Sequence, residues 1–230
     1  MTSRENNPIN MLDLKKMFLE TNIFLIRHGE TEWNKLHRLQ GSKNSPLTSN
    51  GIKQANQVKK LIQQVNIDQA YVSPLKRARD TINIILKDSK LEPVIVNDLR
   101  EIDLGPWEGM SQDKTALLFP DEHLAFWEKP DEFNLDGAET FQALQKRMLK
   151  VLESIFISEK NKNILVVSHW IAIKVILAHY TSTPLSQLSE IANPENGALL
   201  CLSKRSDGIF FHQIKSNNSF NLKKRGRGYE

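Results

Sequence analysis

The sequence predicts an α/β fold of three layers, in which helices cover both faces of a mostly parallel central sheet. One observation is a set of short, continuous apolar runs, which are typical of strands buried on both faces, as in parallel sheets. Another is that stretches of helical periodicity separate these runs, and such alternation indicates parallel strands joined by helices. The runs lie at residues 23–26, 70–72, 94–96, 164–167 and 199–202.

Helical periodicity is clear in the stretches between the runs. Over residues 52–65 apolar side chains recur every three or four positions, and Thr48 or Ser49 is available as the N-cap. A second helix is predicted over residues 75–87. The stretch 170–178 is apolar on almost all sides, which predicts a buried helix.

Residues 105–137 interrupt this alternation and are predicted to form a small helical insertion over the functional site. The segment holds three prolines and five aromatic residues, and we expect most of the rings to pack in the core rather than contact a ligand. After it, Asp136 and Glu139 are spaced as a capping box for a helix over 141–155, so a cap is the role expected of Glu139. The aromatic residues are Trp107, Phe119, Phe126, Trp127 and Phe133.

The pattern divides the chain into a domain over residues 23–214, an N-terminal extension over 1–22 and a basic, disordered tail over 215–230. The chain has 31 Lys and Arg side chains and 27 Asp and Glu side chains. Five of those cations and one of those anions lie in the tail, so 26 of each sign remain outside it. The basic character therefore belongs to the tail, and we do not expect a nucleic-acid partner.

The composition also narrows the setting of the protein. Its single cysteine, Cys201, excludes an internal disulfide and lies in an apolar run, where a buried, inert thiol is expected. No stretch reaches the ~18 apolar residues of a membrane span. Charged residues run through residues 1–22, unlike the apolar core of a signal peptide. We therefore expect a cytoplasmic protein without a membrane partner.

Two histidines directly follow predicted strands. His28 comes after the first apolar run, between Arg27 and Gly29, and His169 comes after the fourth. In open α/β sheets, ligands bind outside the carboxyl ends of the strands. If these two strands are neighbours, both imidazoles face one crevice.

An arginine and several carboxylates follow the other runs. Arg77 lies in the first turn of the predicted helix over 75–87, where the helix dipole disfavours a cation, so a bound anion is expected there. Glu101, Asp103 and Glu108 supply carboxylates near the start of the insertion. The residues themselves do not single out one of the three.

Taken in order, these segments resemble the signature of the histidine phosphatase superfamily, the phosphoglycerate-mutase-like proteins. The resemblance runs over residues 22–203, and the ordered set is far more specific than any one segment. The residues after Glu101 look most like those of the broad-specificity and α-ribazole-type phosphatases. The segments are Arg27-His28-Gly29-Glu30-Thr31-Glu32-Trp33-Asn34, Gln40-Gly41, Ser73-Pro74-Leu75-Lys76-Arg77-Ala78, Leu99-Arg100-Glu101, Gly105-Pro106-Trp107-Glu108-Gly109 and Val166-Val167-Ser168-His169.

The resemblance implies a metal-independent phosphatase that hydrolyses small phosphomonoesters through a phosphohistidine intermediate, with no cofactor. It implies that His28 is the nucleophile and that Glu101 is the acid that protonates the leaving group. The other implied site residues bind the phosphoryl oxygens (Arg27, Arg77 and His169) or line the phosphate and substrate site (Asn34, Gln40 and Gly41).

Elementary chemistry supports these implied roles. A phosphate monoester carries about two negative charges near pH 7, and guanidinium forks match its oxygens. A neutral imidazole is a competent nucleophile there because its ordinary pKa is about 6.5. The neighbouring guanidinium of Arg27 disfavours the imidazolium further. Glu101 gives a proton to the leaving group in the first step and takes one from water in the second.

One residue departs from the superfamily's pattern, and two alternative functions stay open. Trp170 follows the second histidine where a small residue is usual, so we expect substrate specificity to come from Trp170 and residues 105–137. The expected partner is a small phosphorylated metabolite, and the chain is either a monomer or a homodimer. The alternatives are phosphoglycerate-mutase-type phosphoryl transfer and a non-catalytic module that binds a phosphorylated ligand. The remaining histidines are expected to have ordinary structural roles: His37, His123, His179 and His212.

Overall fold

The structure, a computed structural model, describes residues 20–205, 208–214 and 220–221. The predicted N-terminal extension lies outside the described residues except for its last three positions. The predicted tail lies outside them except for Phe220 and Asn221. Within the described part of the chain, no helix combines the length and the apolar character that a membrane span requires.

Seven strands form one sheet within the described residues. They include all five predicted strands, and the sixth and seventh were not predicted. In chain order the strands are β1 (Thr21–Arg27), β2 (Gln69–Val72), β3 (Val94–Ile95), β4 (Asn163–Ser168), β5 (Leu199–Arg205), β6 (Gly208–Ile214) and β7 (Phe220–Asn221).

The sheet is parallel on one side and antiparallel on the other. Its strand order is β3-β2-β4-β1-β5-β6-β7, and the first four of these run parallel. From β1 onward through β5, β6 and β7, each pairing is antiparallel. The sequence indicated the four parallel strands and β5, but not β6 or β7, because strands at an antiparallel edge need no continuous apolar run.

The pairing of β1 with β4 places the two strand-end histidines side by side. In the parallel register Arg27 lies opposite Ser168, the last residue of β4. The residue after each strand is a histidine, and the N–H of His28 donates to the carbonyl of Ser168 at 3.1 Å. His28 and His169 therefore start from the same level of the sheet's carboxyl edge, as expected if the two strands are neighbours.

Helices connect the strands and complete the outer layers. Thr48 caps the second of them, since its Oγ1 accepts a hydrogen bond from Gly51 N at 3.0 Å, as the sequence predicted. Short 3-10 helices lie at Asn97–Leu99, Gly105–Trp107 and Leu185–Glu190. The α-helices are α1 (Glu32–Lys35), α2 (Ser49–Ile62), α3 (Lys76–Ile85), α4 (Gln112–Leu118), α5 (Pro120–Glu128), α6 (Phe141–Ser158) and α7 (Trp170–Tyr180).

Alternate residues of β1 point into two separate cores. Ile23 and Leu25 pack with α6 and α7, and Phe24 and Ile26 pack with α2 and α3. Helices therefore cover both faces of the sheet, and the predicted three-layer α/β class is confirmed. The predicted burial of residues 170–178 holds for α7, in which every residue from Ile171 to Ala178 is buried.

The predicted capping box before α6 is wrong. The N-cap of α6 is Thr140, and Gly137 has a φ of +78°, so the chain turns between Asp136 and Glu139 instead of entering a helix. Glu139 pairs with Arg147 through Oε1 and Nε at 2.7 Å.

The insertion consists of a 3-10 helix followed by α4 and α5. Trp107, Phe126 and Phe133 are almost completely buried, and their ring centroids lie 5.1–5.5 Å apart. The expectation that aromatic residues of this segment pack in the core is confirmed for these three side chains.

Candidate active site

The two strand-end imidazoles lie together under the carboxyl edge of the sheet. His28 is 3% exposed and His169 is 0% exposed, and their ring centroids are 5.1 Å apart. The sequence prediction that both rings face one site therefore agrees with the structure. Both rings are shielded from water, and burial disfavours the charged imidazolium.

The hydrogen bonds of His28 define its tautomer. Nε2 lies 3.2 Å from Nε of Arg77, which can only donate, so Nε2 is the acceptor. Nδ1 therefore carries the proton and donates it to the carbonyl of Gly29 at 2.8 Å. Burial and the charges of Arg77 and Arg27 hold the pKa of His28 well below 6.5. The ring is thus neutral, with the lone pair of Nε2 on the side of the guanidinium.

Arg77 is 1% exposed and reaches this site from the second residue of α3. Its Nη1 donates to the carbonyl of Lys43 at 2.6 Å and its Nη2 to the carbonyl of Gly41 at 2.8 Å. Burial lowers its pKa to about 10, so the guanidinium is still charged at neutral pH. A cation is unusual in the first turn of a helix, and these contacts hold the guanidinium of Arg77 beside His28.

The turn that receives Arg77 requires glycine at position 41. Gly41 has a φ of +52°, and a Cβ there would run into the carboxylate of Glu108. That carboxylate accepts the backbone N–H of Ser42 at 2.5 Å through Oε1. Glu108 therefore closes the loop that presents the Gly41 carbonyl to Arg77.

Arg27 lies at the end of β1 and supplies a second cation. Its Nη1 donates to the carbonyl of Pro194 at 2.7 Å, and its Nε is buried without a partner among the described residues. The guanidinium carbon lies 5.7 Å from the ring centroid of Trp170. Burial lowers its pKa to about 10, and the charge of Glu101 opposes this shift.

His169 is held by one nitrogen and has the other unpaired. Its Nε2 lies 2.6 Å from Oγ of Ser73, and its Nδ1 is buried with no partner among the described residues. Burial comes first among the causes that hold its pKa well below 6.5, followed by the charge of Arg77. This nitrogen, which feels the charges of Arg77 and Arg27, is therefore free among the described residues to contact a ligand atom.

The carboxylate of Glu101 lies at the N-terminus of α7. Its Oε2 accepts the N–H of Ile171 at 3.2 Å, and its Oε1 accepts the N–H of Ala172 at 3.0 Å and that of Ile102 at 3.1 Å. These donors include N–H groups that the helix itself leaves unpaired. The structure thus brings Glu101, rather than Asp103 or Glu108, to the cavity that His28 lines.

Asn34 and Gln40 are tied to the same short segment. Oδ1 of Asn34 accepts from the N–H of Thr31 at 3.1 Å, and Nε2 of Gln40 donates to Oγ1 of Thr31 at 2.8 Å. Oε1 of Gln40 is buried without a partner among the described residues. Seven of the eight site residues predicted from the sequence line one cavity. The eighth, His169, has its ring centroid 5.1 Å from that of His28, which lines it.

Two asparagines for which the sequence predicts no role also contact residues of the site. Nδ2 of Asn196 donates to the carbonyl of His28 and to Oδ1 of Asn34, both at 3.2 Å. Oδ1 of Asn193 accepts from Nε1 of Trp170 at 3.1 Å. The one local signal was the Asn196-Gly197 pair, which is typical of a turn.

The cavity has a volume of about 240 Å³. Of the residues expected to determine specificity, Trp170 from α7 lines the cavity, whereas Gln112 is the only lining residue from the segment 105–137. Within residues 20–205 and the other described ranges, no three potential metal ligands lie together. The residues that line the cavity are Arg27, His28, Asn34, His37, Arg38, Leu39, Gln40, Gly41, Arg77, Glu101, Ile102, Leu104, Gln112, Trp170, Ile171, Asn193 and Asn196.

Comparison with known proteins finds both sequence and structural similarity. Residues 23–217 match the sequence model of the histidine phosphatase superfamily (branch 1). A metal-independent phosphoserine phosphatase of Arabidopsis thaliana is 34% identical over 172 residues, which are 74% of this chain and 72% of that protein. A probable phosphoglycerate mutase, GpmB of Proteus mirabilis, is 33% identical over 168 residues, 70% of this chain and 75% of that protein. The solved structure of Bacillus stearothermophilus YhfR has a TM-score of 0.79 and 28% identity, and the match covers 91% of this chain and 98% of that one.

Proposed function

The chain belongs to the histidine phosphatase superfamily and is a phosphatase, and on that premise we propose that it hydrolyses small phosphomonoesters with His28 as its nucleophile. The observation that carries this proposal is the neutral His28, whose Nε2 lone pair faces a cluster of buried cations. We place the catalytic domain within residues 23–214. The single, buried Cys201 fits a reducing compartment such as the cytoplasm.

Covalent capture of the phosphoryl group is the first step. Nε2 of His28 attacks phosphorus, an N–P bond forms, and the bond between phosphorus and the leaving-group oxygen breaks. Protonated Glu101 gives its proton to that oxygen, so the leaving group departs as a neutral alcohol. The donated hydrogen bond from Nδ1 to Gly29 keeps the attacking nitrogen unprotonated at the start.

Hydrolysis of the intermediate is the second step. A water molecule attacks phosphorus while Glu101, now a carboxylate, accepts its proton. The N–P bond breaks, and the electron pair returns to Nε2 of His28. Inorganic phosphate leaves, and the enzyme is restored to its starting protonation state.

The charge that develops on the phosphoryl oxygens meets donors on several sides. Arg27 has an unpaired Nε, and each terminal nitrogen of Arg77 uses one of its two N–H groups on a carbonyl. Nδ1 of His169 is the further unpaired nitrogen. Such fixed donors act where charge forms, in a water-excluded site, and cost little reorganisation. Asn34, Gln40 and the Gly41 loop complete the wall on that side.

The substrate is a small molecule in this proposal. A cavity of about 240 Å³ has room for a phosphoryl group and a leaving group of a few heavy atoms. The Arabidopsis thaliana relative is named for phosphoserine and for independence from metal, so phosphoserine is the first substrate to test.

The test is release of inorganic phosphate from phosphoserine and p-nitrophenyl phosphate by the purified protein in the presence of a chelator. We expect turnover of at least one of them, and loss of that turnover in His28→Asn, which keeps a polar amide near the position of Nδ1 but lacks the Nε2 nucleophile. The name of the Proteus mirabilis relative favours a mutase as the second candidate. Interconversion of phosphoglycerates without phosphate release would support the mutase and contradict our proposal.

A further inference from the structure

The proposed acid, Glu101, lies on a stretch of chain without regular secondary structure. Residues 100–104 connect the 3-10 helix Asn97–Leu99 to the 3-10 helix Gly105–Trp107. An acid must meet the leaving-group oxygen closely, and a misplacement of ~1 Å can cost about 100-fold in rate. The backbone around Glu101 therefore needs to be fixed by contacts other than a helix or a strand.

Arg147 of α6 makes those contacts with all five N–H donors of its guanidinium. Nε and Nη2 donate to the two carboxylate oxygens of Glu139, each at 2.7 Å. Nη1 donates to the carbonyls of Asp98 at 2.7 Å and Arg100 at 2.8 Å. Nη2 also donates to the carbonyl of Glu101 itself at 2.9 Å. One rigid, planar group thus holds three carbonyls around the acid.

Glu139 holds the same stretch further along the chain. Its backbone N–H donates to the carbonyl of Asp103 at 2.8 Å, and its Oε2 accepts the N–H of Asp103 at 3.3 Å. The side chains of Glu139 and Arg147 are only 12% and 10% exposed. Removal of either partner therefore leaves a poorly solvated charge, and the pair acts as a unit.

The carboxylate of Glu101 is fixed from a different element. Its oxygens accept N–H groups at the start of α7, from Ile171 and Ala172, and the Arg147–Glu139 pair holds only the backbone. Neither Arg147 nor Glu139 lines the cavity. The charge of Arg147 also reaches His169, where it lowers the pKa after burial and the charges of Arg77 and His28. A variant that keeps this charge therefore tests the hydrogen bonds alone, and these act on the reaction through the position of Glu101.

We infer that Arg147 and Glu139 are positioning residues, which hold the backbone of Glu101 so that its carboxyl group reaches the leaving-group oxygen. The inference rests on the proposed role of Glu101 as the acid. A displaced Glu101 slows both proton transfers, but kcat/KM reports only the first step, in which Glu101 protonates the leaving group. An alkoxide needs that proton in order to leave, whereas p-nitrophenolate leaves readily without it.

The experiment compares kcat/KM for glycerol 2-phosphate, an alkyl phosphomonoester, with kcat/KM for p-nitrophenyl phosphate. Arg147→Lys keeps the charge but loses the planar five-donor geometry. We expect it to lower kcat/KM about 10- to 100-fold for the alkyl ester and less than about 3-fold for the nitrophenyl ester. Inhibition by inorganic phosphate should be unchanged, because the phosphoryl site is not altered. Lys146→Gln, an exposed neighbour on the same helix, is the control and should affect neither substrate.

Two further variants distinguish a failure of this inference from a failure of the proposed role of Glu101 as the acid. Glu101→Gln should show the same dependence on the leaving group, more strongly, and adding Arg147→Lys to it should cause little further loss. If Glu101→Gln shows no such dependence, the role of Glu101 as acid fails. If Glu101→Gln shows this dependence on the leaving group, but Arg147→Lys slows both substrates equally or slows neither of them, the inference is overturned. The role of Glu101 as the acid is then still supported. Glu139→Gln provides the same test should Arg147→Lys not fold.

Discussion

The two sides of the cavity are built in different ways. On the phosphoryl side, His28 and His169 follow adjacent parallel strands, and Arg77 lies in the first turn of α3. Because these residues lie directly at the ends of strands or at the start of a helix, the regular elements fix the relative positions of their side chains. On the leaving-group side, Trp170 is joined by residues from loops, such as Asn193 and Arg38.

The insertion shows what this difference means. Its five aromatic side chains belong to or pack against one hydrophobic core cluster, and only Gln112 from residues 105–137 lines the cavity. The segment therefore acts on the site mainly as packing that supports the wall. We therefore expect the chemistry to depend on the residues at the strand ends and the selectivity to depend on a few residues of the rim.

The largest effect is expected from Arg77→Gln, on the phosphoryl side. The change removes a charged fork that binds the phosphoryl oxygens and contacts Nε2 of His28, and kcat/KM should fall about 100- to 1,000-fold. Steady-state kinetics with p-nitrophenyl phosphate measure it. Arg79→Gln, an exposed arginine on the same helix, is the matched control. Equal losses in the two variants would mean that the phosphoryl side is not centred on Arg77.

A change in the insertion core should affect stability instead of chemistry. Phe133 is 2% exposed and packs against Trp107, Phe126 and Phe141. Phe133→Ala should lower the free energy of unfolding by about 3–5 kcal/mol. Denaturant unfolding gives this value, and kcat per folded molecule should stay the same. A fall in kcat per folded molecule would show that the insertion core affects the chemistry directly, and this would contradict the difference between the two sides.

Trp170→Gly tests the leaving-group side and should alter selectivity about 10-fold, the range expected when a hydrophobic pocket changes shape. The indole lines the cavity and is held by Asn193, so its removal opens room beside Arg27. We expect the ratio of kcat/KM for bulky over small phosphomonoesters to rise. Parallel assays with p-nitrophenyl phosphate and phosphoserine measure that ratio. An unchanged ratio, with both substrates slowed equally, would assign Trp170 to the phosphoryl side.

A further effect is a pH dependence of stability that belongs to the buried histidines. The pKa values of His28 and His169 are held below the ordinary 6.5, so below that pH the unfolded chain takes up protons that the folded protein does not. Stability is therefore complete above pH 6.5 and falls as the pH drops, by up to about 1.4 kcal/mol per pH unit for each histidine. Thermal unfolding between pH 7.5 and pH 5.5, about one unit on either side of the ordinary pKa of 6.5, measures it. His169→Asn should flatten the dependence, and a dependence that survives both histidine substitutions would assign it elsewhere.

The sequence pointed to His28, His169 and Arg77 because each lies at the end of a predicted strand or at the start of a predicted helix, and only the resemblance pointed to Asn34, Gln40 and Gly41. It could not predict Asn196, which contacts Asn34 across 162 positions only because β5 pairs with β1. The role of Glu139 was hidden for a similar reason. Its local spacing matched a cap, and the tertiary contact with Arg147 decided otherwise.

Trapping of the covalent intermediate tests the proposed chemistry most directly. The protein is mixed with a radiolabelled phosphomonoester, quenched rapidly in base, where a phosphoramidate survives, and mapped by peptide mass spectrometry. We predict phosphate on a ring nitrogen of His28, labile in acid and lost in His28→Asn. Turnover without any protein-bound phosphate, or phosphate bound to His169 instead, would contradict the assignment of His28 as the nucleophile.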